Sequence, residues 1–385
     1  MADFDADVGV VGLGAWGSAT LWRLAHRGVD VLGFERFEPG HAFGSSHGGS
    51  RMFRLSCYEH RGLVALAKLS LDLWRALETA AGVPLLDLCG GLLIGAPEGR
   101  MIRETLANAR DFDLDVERLD ATELKRRFPQ HEGVAAGHVG VWEPSAGLLR
   151  PEAAVRAAVA VSTRLGARVC RDTRVVRIEP VSGGVVLHTP TRTFRVRRTV
   201  LAVGPWCSTF VPRLPLRIIR KPITWFAPEG TPGEFSVDRF PMFKRECGEG
   251  RVLWGCGAYD GGDVKLGLEA KGRVPPEIDP EILDRSTSAA DWEELGRVVS
   301  QAVPGVRPVP TRVSVCMGTH TPDNQFALGP VGGDRRLIVA TGESSQGFKH
   351  ATGIGEFLAQ TAVGEAPSLA LPFTDPDRFL TEQKI

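Results

Sequence analysis

DVGVVGLGAWG, residues 7–17, is the stretch that decides the fold of this chain. Its first five residues predict a short buried strand. Three of its four glycines, Gly12, Gly14 and Gly17, predict a tight turn at which the backbone can approach a pyrophosphate closely. The turn should lead directly into a helix, whose N-terminus favours an anion.

The residues that follow complete a βαβ unit. The predicted helix continues to about Arg27, and a second strand, 29–34, ends at Glu35. Glu35 lies 18 positions after Gly17, where its carboxylate can accept a hydrogen bond from a ribose hydroxyl. A glycine fingerprint alone is weak evidence, but the strand, the helix and the carboxylate together predict a dinucleotide-binding site.

Composition and charge are those of an ordinary globular protein. The 385 residues are 43% hydrophobic and 24% charged, which allows a large core and predicts two domains. Lys plus Arg equal Asp plus Glu at 46 each, so the charge gives no indication of nucleic acid or an anionic membrane as a partner. We find no apolar run long enough for a membrane span and no signal-peptide pattern, and we expect a cytoplasmic protein.

Cysteine and histidine usage predicts neither a disulfide framework nor a metal site. The seven cysteines are scattered, odd in number and without CxxC spacing, which favours a reducing compartment. The nine histidines show no ligand spacing. Cys316, in the run SVCMGTHTPD (314–323), is one of these isolated thiols, and such a thiol is most often a buried small hydrophobe.

Hydrophobic patterns place further elements along the chain. Helices are predicted over 61–81, 151–165 and 348–363, and strands over 167–169, 175–178, 185–188, 198–203 and 337–340. The region 212–315 is rich in glycine, proline and short strands, which predicts an antiparallel sheet. Because strand 198–203 should return to the nucleotide-binding sheet, we expect the first domain to be discontinuous.

The chain resembles the family of monomeric sarcosine oxidase and N-methyltryptophan oxidase, flavoenzymes with covalently bound FAD. The resemblance covers nearly the whole chain and is densest at 12–35, GSSHGGSRMFR (44–54), CMGT (316–319) and GFK (347–349), with a shorter match at VKLG (264–267). It implies an α/β (α+β) fold with a Rossmann-like FAD-binding domain of glutathione-reductase type, comprising 1–82, 146–212 and 318–385. An antiparallel-sheet substrate domain would comprise 83–145 and 213–317.

For the cofactor, the resemblance implies that Cys316 carries FAD through a thioether to its 8α carbon. It implies further FAD contacts at Gly12, Gly14, Gly17, Glu35, Arg36, Ser45, Arg51, Val175, Gly204, Gly347, Phe348 and Lys349. Arg51 and His47 would lie against the flavin ring, where a fixed positive charge stabilises the anionic reduced flavin. His47 could equally cap or pack. The N-terminus of helix 348–363 would point at the pyrimidine edge of the flavin.

For the substrate, the resemblance implies that Arg54 and Lys349 hold a carboxylate. Two cations at a fixed distance from flavin N5 would present the C–H bond to be broken in line with that atom. They would also favour the neutral, reactive form of the amine. Lys265 matches the lysine that activates oxygen in the family, since an ammonium group stabilises developing superoxide.

Several positions in the implied substrate pocket depart from the family pattern. Glu269 replaces a histidine, Gly318 and Trp254 each replace a tyrosine, and Ser345-Gln346, preceded by Glu343, replaces Gly-His; a methionine aligns with Lys244 or Arg245. These differences predict a larger and more polar pocket. A secondary amino acid bulkier or more polar than sarcosine is therefore a realistic substrate.

The resemblance thus implies a monomeric, FAD-dependent oxidase of a secondary (N-methyl) amino acid, with O₂ as the acceptor. The products would be an imine and H₂O₂, and sarcosine would yield glycine and formaldehyde. Three alternatives stay open. They are an oxidase of a cyclic or bulkier amino acid such as proline, pipecolate or a biosynthetic intermediate, an amine dehydrogenase, and a flavin-binding subunit without catalysis.

Overall fold

The structure is a computed structural model that describes residues 4–231, 233–259, 262–270 and 275–380. The strands in these residues are, in chain order, β1 Ala6–Val11, β2 Val31–Phe34, β3 Arg51–Phe53, β4 Leu86–Asp87, β5 Gly91–Gly95, β6 Glu117–Leu119, β7 Val139–Glu143, β8 Gly147–Leu149, β9 Arg168–Cys170, β10 Arg177–Val181, β11 Gly184–His188, β12 Thr193–Leu201, β13 Arg217–Phe226, β14 Met242–Glu246, β15 Arg251–Cys256, β16 Val264–Ala270, β17 Arg312–His320, β18 Ala327–Val331 and β19 Asp334–Thr341.

The α-helices of the same residues alternate with these strands. They are α1 Ala15–His26, α2 Gly62–Ala81, α3 Arg100–Asp111, α4 Ala121–Arg127, α5 Pro151–Arg164, α6 Cys207–Phe210, α7 Glu293–Ala302 and α8 Ala351–Val363. Short 3₁₀ turns precede α6 and α8, at Gly204–Trp206 and Phe348–His350. Within the described ranges, no helix is both long and apolar enough to cross a membrane.

The first sheet carries the glycine fingerprint and confirms the predicted βαβ unit. Its parallel strands run in the order β9-β2-β1-β12-β19, and β10, β11 and β18 extend it through antiparallel pairs. β2 is buried along its whole length, as expected for a parallel strand covered on both faces. Helices α1, α2, α5 and α8 share one hydrophobic core with this sheet. A Cβ on Gly355 of α8 would lie 2.6 Å from the carbonyl carbon of Ala19 in α1, so glycine permits this close helix packing.

The second sheet runs in the order β17-β13-β16-β15-β14-β5-β7-β6. The antiparallel sheet predicted over 212–315 is confirmed for β13 to β17. Two features were not predicted: β14 pairs with β5 in parallel, and helix α7 lies within the same region. A small third sheet, β3-β8-β4, contains Arg51 at the start of β3.

Some predicted strand boundaries were wrong, and the observed strand pairing explains the differences. The predicted strand 175–178 is found at Arg177–Val181, because a turn at Ser182-Gly183 sets the register of β10 against β11. The strand predicted over 198–203 begins earlier, since its first residues pair with β11, and it ends at Leu201 before a turn with Gly204 at φ +55°. The predicted division into two domains stays a prediction, and its boundary at 317/318 falls inside β17.

Candidate active site

One cavity lies between the first and second sheets. On one side it is lined by residues at the carboxyl ends of β1, β2, β12 and β19, where ligands of open α/β sheets bind. On the other side it is lined by side chains from β13 to β17. The cavity therefore joins the predicted dinucleotide site to the sheet that carries Cys316.

The glycine turn has no room for side chains at two of its three glycines. Gly12 has φ +84°, and a Cβ there would lie 2.6 Å from the carbonyl oxygen of Ala202. A Cβ on Gly17 would lie 1.8 Å from the carbonyl oxygen of Gly12, which no side chain can tolerate. Gly12 and Gly14 line the cavity at the N-terminus of α1, as required of an anion-binding turn.

Glu35 lies buried at the end of β2 and lines the same cavity. One carboxylate oxygen accepts a hydrogen bond from Leu13 N at 2.8 Å, and the other accepts from Phe37 N at 3.0 Å. The side chain is thereby fixed against the fingerprint, and each oxygen keeps a lone pair for a further donor such as a ribose hydroxyl.

The neighbouring wall of the cavity includes Arg36, Val175 and Gly204, which were all predicted to contact the cofactor. Arg36 donates two hydrogen bonds to Glu281, at 2.9 and 3.0 Å, and its guanidinium lies 5.6 Å from the ring centroid of Trp206. This end of the cavity thus has an aromatic and charged rim.

Buried polar atoms without a partner in the described residues test whether a large polar ligand fits. Seven of the atoms without a hydrogen-bond partner belong to residues that line this cavity: Ser45 Oγ, Glu59 Oε2, Trp206 Nε1, Trp254 Nε1, Thr319 Oγ1, Thr341 Oγ1 and Gln346 Oε1. An unpaired buried polar group is costly, so such atoms indicate a missing polar ligand. Together with the glycine turn, they fit FAD.

Cys316 lies on β17, is buried and faces the cavity. Its sulfur lies 3.9 Å from Arg51 Nη2 and 3.7 Å from the carbonyl oxygen of Ser45. Burial raises the pKa of the Cys316 thiol, and the positive charge of Arg51 is the main opposing influence. Arg51 is held in place by the carbonyl oxygens of Ser50 at 2.8 Å and Ser45 at 2.9 Å.

His47 is buried next to this site but does not line the cavity. Burial, followed by the charge of Arg51, lowers its pKa to about 4, so the imidazole is neutral near pH 7. The adjacent Gly48 and Gly49 donate backbone hydrogen bonds to Glu152, at 2.6 and 3.2 Å. Glu152 therefore fixes the turn that carries His47, a role that no sequence motif indicated.

Lys265 lies on β16 and is 5% exposed. Its Nζ donates to the carbonyl oxygens of Gly48 at 2.8 Å and Ser50 at 2.7 Å. Burial, and next the charge of Arg51, lower the pKa of Lys265 to about 7. The structure thus places a titratable cation beside Arg51 in the cavity wall.

Arg54 and Lys349 are both buried and line the same cavity, on either side of Glu59. Arg54 donates to the Glu59 carboxylate and to Ser56 O, whereas Lys349 Nζ lies 4.0 Å from Glu59 Oε1 and donates to Gln346 O at 3.2 Å. Burial would raise the pKa of Glu59, but Arg54 and Lys349 outweigh it and hold the pKa at about 2. Burial lowers the pKa of Lys349. Sequence analysis missed Glu59, which belongs to no recognisable motif.

The remaining wall of the cavity carries the positions at which the sequence departs from the family pattern. Lys244 Nζ donates to Tyr58 Oη at 3.0 Å and lies 3.3 Å from Glu269 Oε2. Trp254 lies across β16, where Gly267 makes room for it: a Cβ at 267 would lie 2.2 Å from the indole ring. Arg245, the alternative to Lys244, instead donates to the Ala302 and Glu132 carbonyls.

Most of the predicted site residues thus line one cavity, including Gly347, Phe348 and Ser45. Three do not: Gly17, His47 and Gly318. Gly17 packs against the Gly12 carbonyl instead. A Cβ on Gly318 would meet His320 Nε2 at 3.2 Å and Glu343 Oε1 at 3.5 Å. The space left by the missing side chain at this position therefore lies beside Glu343.

The fold and the cavity are those of an α/β protein with a site suited to a dinucleotide cofactor. The chain belongs to the FAD dependent oxidoreductase family (DAO), whose sequence pattern matches residues 7–361. It is 34% identical to a monomeric sarcosine oxidase of Streptomyces avermitilis, with 97% of each chain covered. It is 29% identical to an N-methyl-L-tryptophan oxidase of Yersinia pestis, with 92% of this chain and 94% of the relative covered. Among solved structures, NikD, an unusual amino acid oxidase essential for nikkomycin biosynthesis, matches with a TM-score of 0.82 at 26% identity, covering 97% of this chain and 98% of that one.

Proposed function

We propose that this chain is an FAD-dependent oxidase of a secondary amino acid, with FAD attached to Cys316. The observation that carries the proposal is the joint presence of Arg54, Lys349, Lys265 and Cys316 in one cavity that opens from the glycine turn. The likeness to sarcosine oxidase and N-methyltryptophan oxidase supports the substrate class. When bound, FAD would supply the redox chemistry, namely acceptance of a hydride equivalent from the carbon next to the substrate nitrogen and transfer of the electrons to O₂ to give H₂O₂.

Lys349 and Arg54 bind and orient the substrate in this proposal. A carboxylate placed between them would receive charge-assisted hydrogen bonds, and the reacting carbon would be held in one position. Both cations also disfavour a protonated amine beside them, so they lower the pKa of the substrate ammonium group. Glu59, which now pairs with Arg54, limits the net positive charge to which the substrate is exposed.

Arg51 and Lys265 would supply fixed positive charge on the other side of the cavity. Arg51 is anchored by two backbone carbonyls, so its charge needs no reorganisation as negative charge develops. Lys265 is equally anchored and would assist the reaction with O₂. Its presence favours an oxidase over a dehydrogenase that passes electrons to another acceptor. We further propose a cytoplasmic monomer.

Anaerobic mixing of the purified holoprotein with single amino acids tests the proposed function. We expect sarcosine, N-methyl-L-alanine or another secondary amino acid to bleach the visible flavin absorbance, and admission of air to restore it with H₂O₂ formation. L-Proline and L-pipecolate test the alternative of a cyclic substrate in the same experiment. A flavin that no secondary amino acid reduces would contradict the proposal and favour a binding subunit without catalysis.

A further inference from the structure

The site predicted to hold the substrate carboxylate has two cations and one carboxylate. Arg54, Lys349 and Glu59 together carry a net charge of one positive unit, because Glu59 neutralises one of the two cations. One additional negative charge would neutralise this group, and the α-carboxylate of an amino acid would supply it.

A second group with the same charge composition lies in the wall of the same cavity. Lys221 on β13, Lys244 on β14 and Glu269 on β16 all line it. Lys244 Nζ lies 3.3 Å from Glu269 Oε2, and both Lys244 and Lys221 lower the pKa of Glu269 against the opposing effect of burial. Lys244 is therefore the ion-pair partner of Glu269, and Lys221 acts on this carboxylate from farther away.

Of the two cations in this second group, Lys221 is the one that has no close acidic partner in the described residues. Its Nζ donates to Ser345 Oγ at 2.8 Å and lies 5.9 Å from the centroid of the Trp254 ring. In the described part of the chain, no carboxylate lies within ion-pair distance of it. Glu343 also lines the cavity and adds a negative charge there, but its two oxygens accept from Thr319 N at 3.0 Å and Ser345 N at 2.7 Å, so its hydrogen-bond partners are backbone groups and not Lys221.

We propose that the substrate is an amino acid with two acidic groups, whose α-carboxylate is bound by Arg54 and Lys349 and whose second acid is bound by Lys221. This inference rests on the proposed function and deepens it by naming the substrate class, secondary amino acids that are dicarboxylic. Trp254 forms the wall beside Lys221, and its buried indole Nε1 has no hydrogen-bond partner in the described residues.

The proposal predicts that the pocket selects substrates by their charge, whereas a pocket that is merely large would select them by size. N-Methyl-L-glutamate and N-methyl-L-glutamine have nearly the same shape, and only the first carries the second charge. Loss of a charge-assisted hydrogen bond to a lysine should lower kcat/KM for the glutamine compound by at least about 10-fold. A roomy but unselective pocket would treat the two alike.

Steady-state kcat/KM for this pair of compounds, measured on three variants, tests the proposal. We expect the ratio of glutamate to glutamine compound to be about 10 or more in the natural sequence and to fall towards 1 in Lys221→Gln. In Glu269→Gln the ratio should rise, because one negative charge has been removed from the same group. Lys125→Gln removes an exposed lysine of α4 that does not line the cavity and should leave the ratio unchanged.

Two results would overturn the proposal. One is a ratio of 1 or less in the natural sequence, and the other is a ratio that Lys221→Gln leaves intact while its flavin spectrum is normal. Either result leaves the proposed function standing as long as some secondary amino acid reduces the flavin. Failure of every secondary amino acid to reduce it would instead remove the proposed function.

Discussion

Arg51 Nη2 lies 3.9 Å from the sulfur of Cys316, although the two residues are 265 positions apart and belong to different sheets. This contact matters because burial raises the pKa of the Cys316 thiol and only a thiolate is an effective nucleophile. Arg51 is thus the residue best placed to favour the thiolate that a bond to the flavin requires.

The first prediction concerns the rate at which flavin becomes attached. Arg51→Met should slow covalent incorporation of FAD, because loss of the charge raises the pKa of the Cys316 thiol further. Arg51→Lys is the matched control and should retain part of the rate. The measurement is the fraction of flavin that coprecipitates with the polypeptide in acid, followed over time after FAD is added to apoprotein. An equal rate in Arg51→Met and the natural sequence would show that the guanidinium has no part in the bond.

The second prediction concerns substrate affinity. Lys349→Met should lower kcat/KM for an N-methyl amino acid by about 10- to 100-fold, since one charged hydrogen bond to the carboxylate is lost. Lys349 is 5% exposed and pairs with Glu59 only at 4.0 Å, so it remains available to the substrate. Lys125→Met serves as the control. A kcat/KM unchanged by Lys349→Met would mean that the carboxylate binds elsewhere.

The third prediction concerns oxygen. Lys265→Met should slow oxidation of the reduced protein by O₂ about 100-fold, and should slow reduction by the substrate far less. Because the pKa of Lys265 is lowered to about 7, its ammonium form is present below that pH and is lost above it. The rate of reaction with O₂ should therefore fall as the pH rises through 7 or, if the anionic reduced flavin favours the ammonium, somewhat above it. Stopped-flow measurement across the pH range checks this, and a pH profile of the same shape in Lys265→Met would contradict it.

The fourth prediction concerns the glycine turn. Gly17→Ala should lower thermal stability and flavin content together, because its Cβ would lie 1.8 Å from the Gly12 carbonyl oxygen and the turn must shift. Overpacking of this kind typically costs about 1–3 kcal/mol of unfolding free energy. Ser18→Ala, which removes an atom at the next position, is the control. If the Gly17→Ala protein were stable and contained the full amount of flavin, the prediction would be wrong, because the glycine turn would then tolerate displacement.

Sequence patterns predicted the parts of this protein that depend on local spacing. The fingerprint at Gly12, the carboxylate of Glu35 and the apolar strand β2 lie within 30 residues of one another, so their relationship is visible in the sequence. Cys316 could be connected with this region only through the resemblance to a family, since nothing local relates it to Arg51.

The residues that the sequence did not predict act through tertiary contacts. Glu59 follows Arg54 by only five positions, but it is one acidic residue among many until the fold brings Lys349 within 4.0 Å of its carboxylate. Glu152 begins as an ordinary first-turn residue of α5 and is distinguished only by its bonds to Gly48 and Gly49. Charge in a sequence indicates neither which groups will be buried nor which will share a cavity.

Acid precipitation of the natural protein and of Cys316→Ser, both expressed with ample flavin, tests the central claim most directly. The claim is that the flavin ring lies in this cavity against β17, bonded to Cys316. It predicts that the yellow colour stays with the natural polypeptide in the pellet and that the flavin of Cys316→Ser is released into the supernatant. An acid-stable chromophore on Cys316→Ser, or a natural protein that contains no flavin at all, would contradict it.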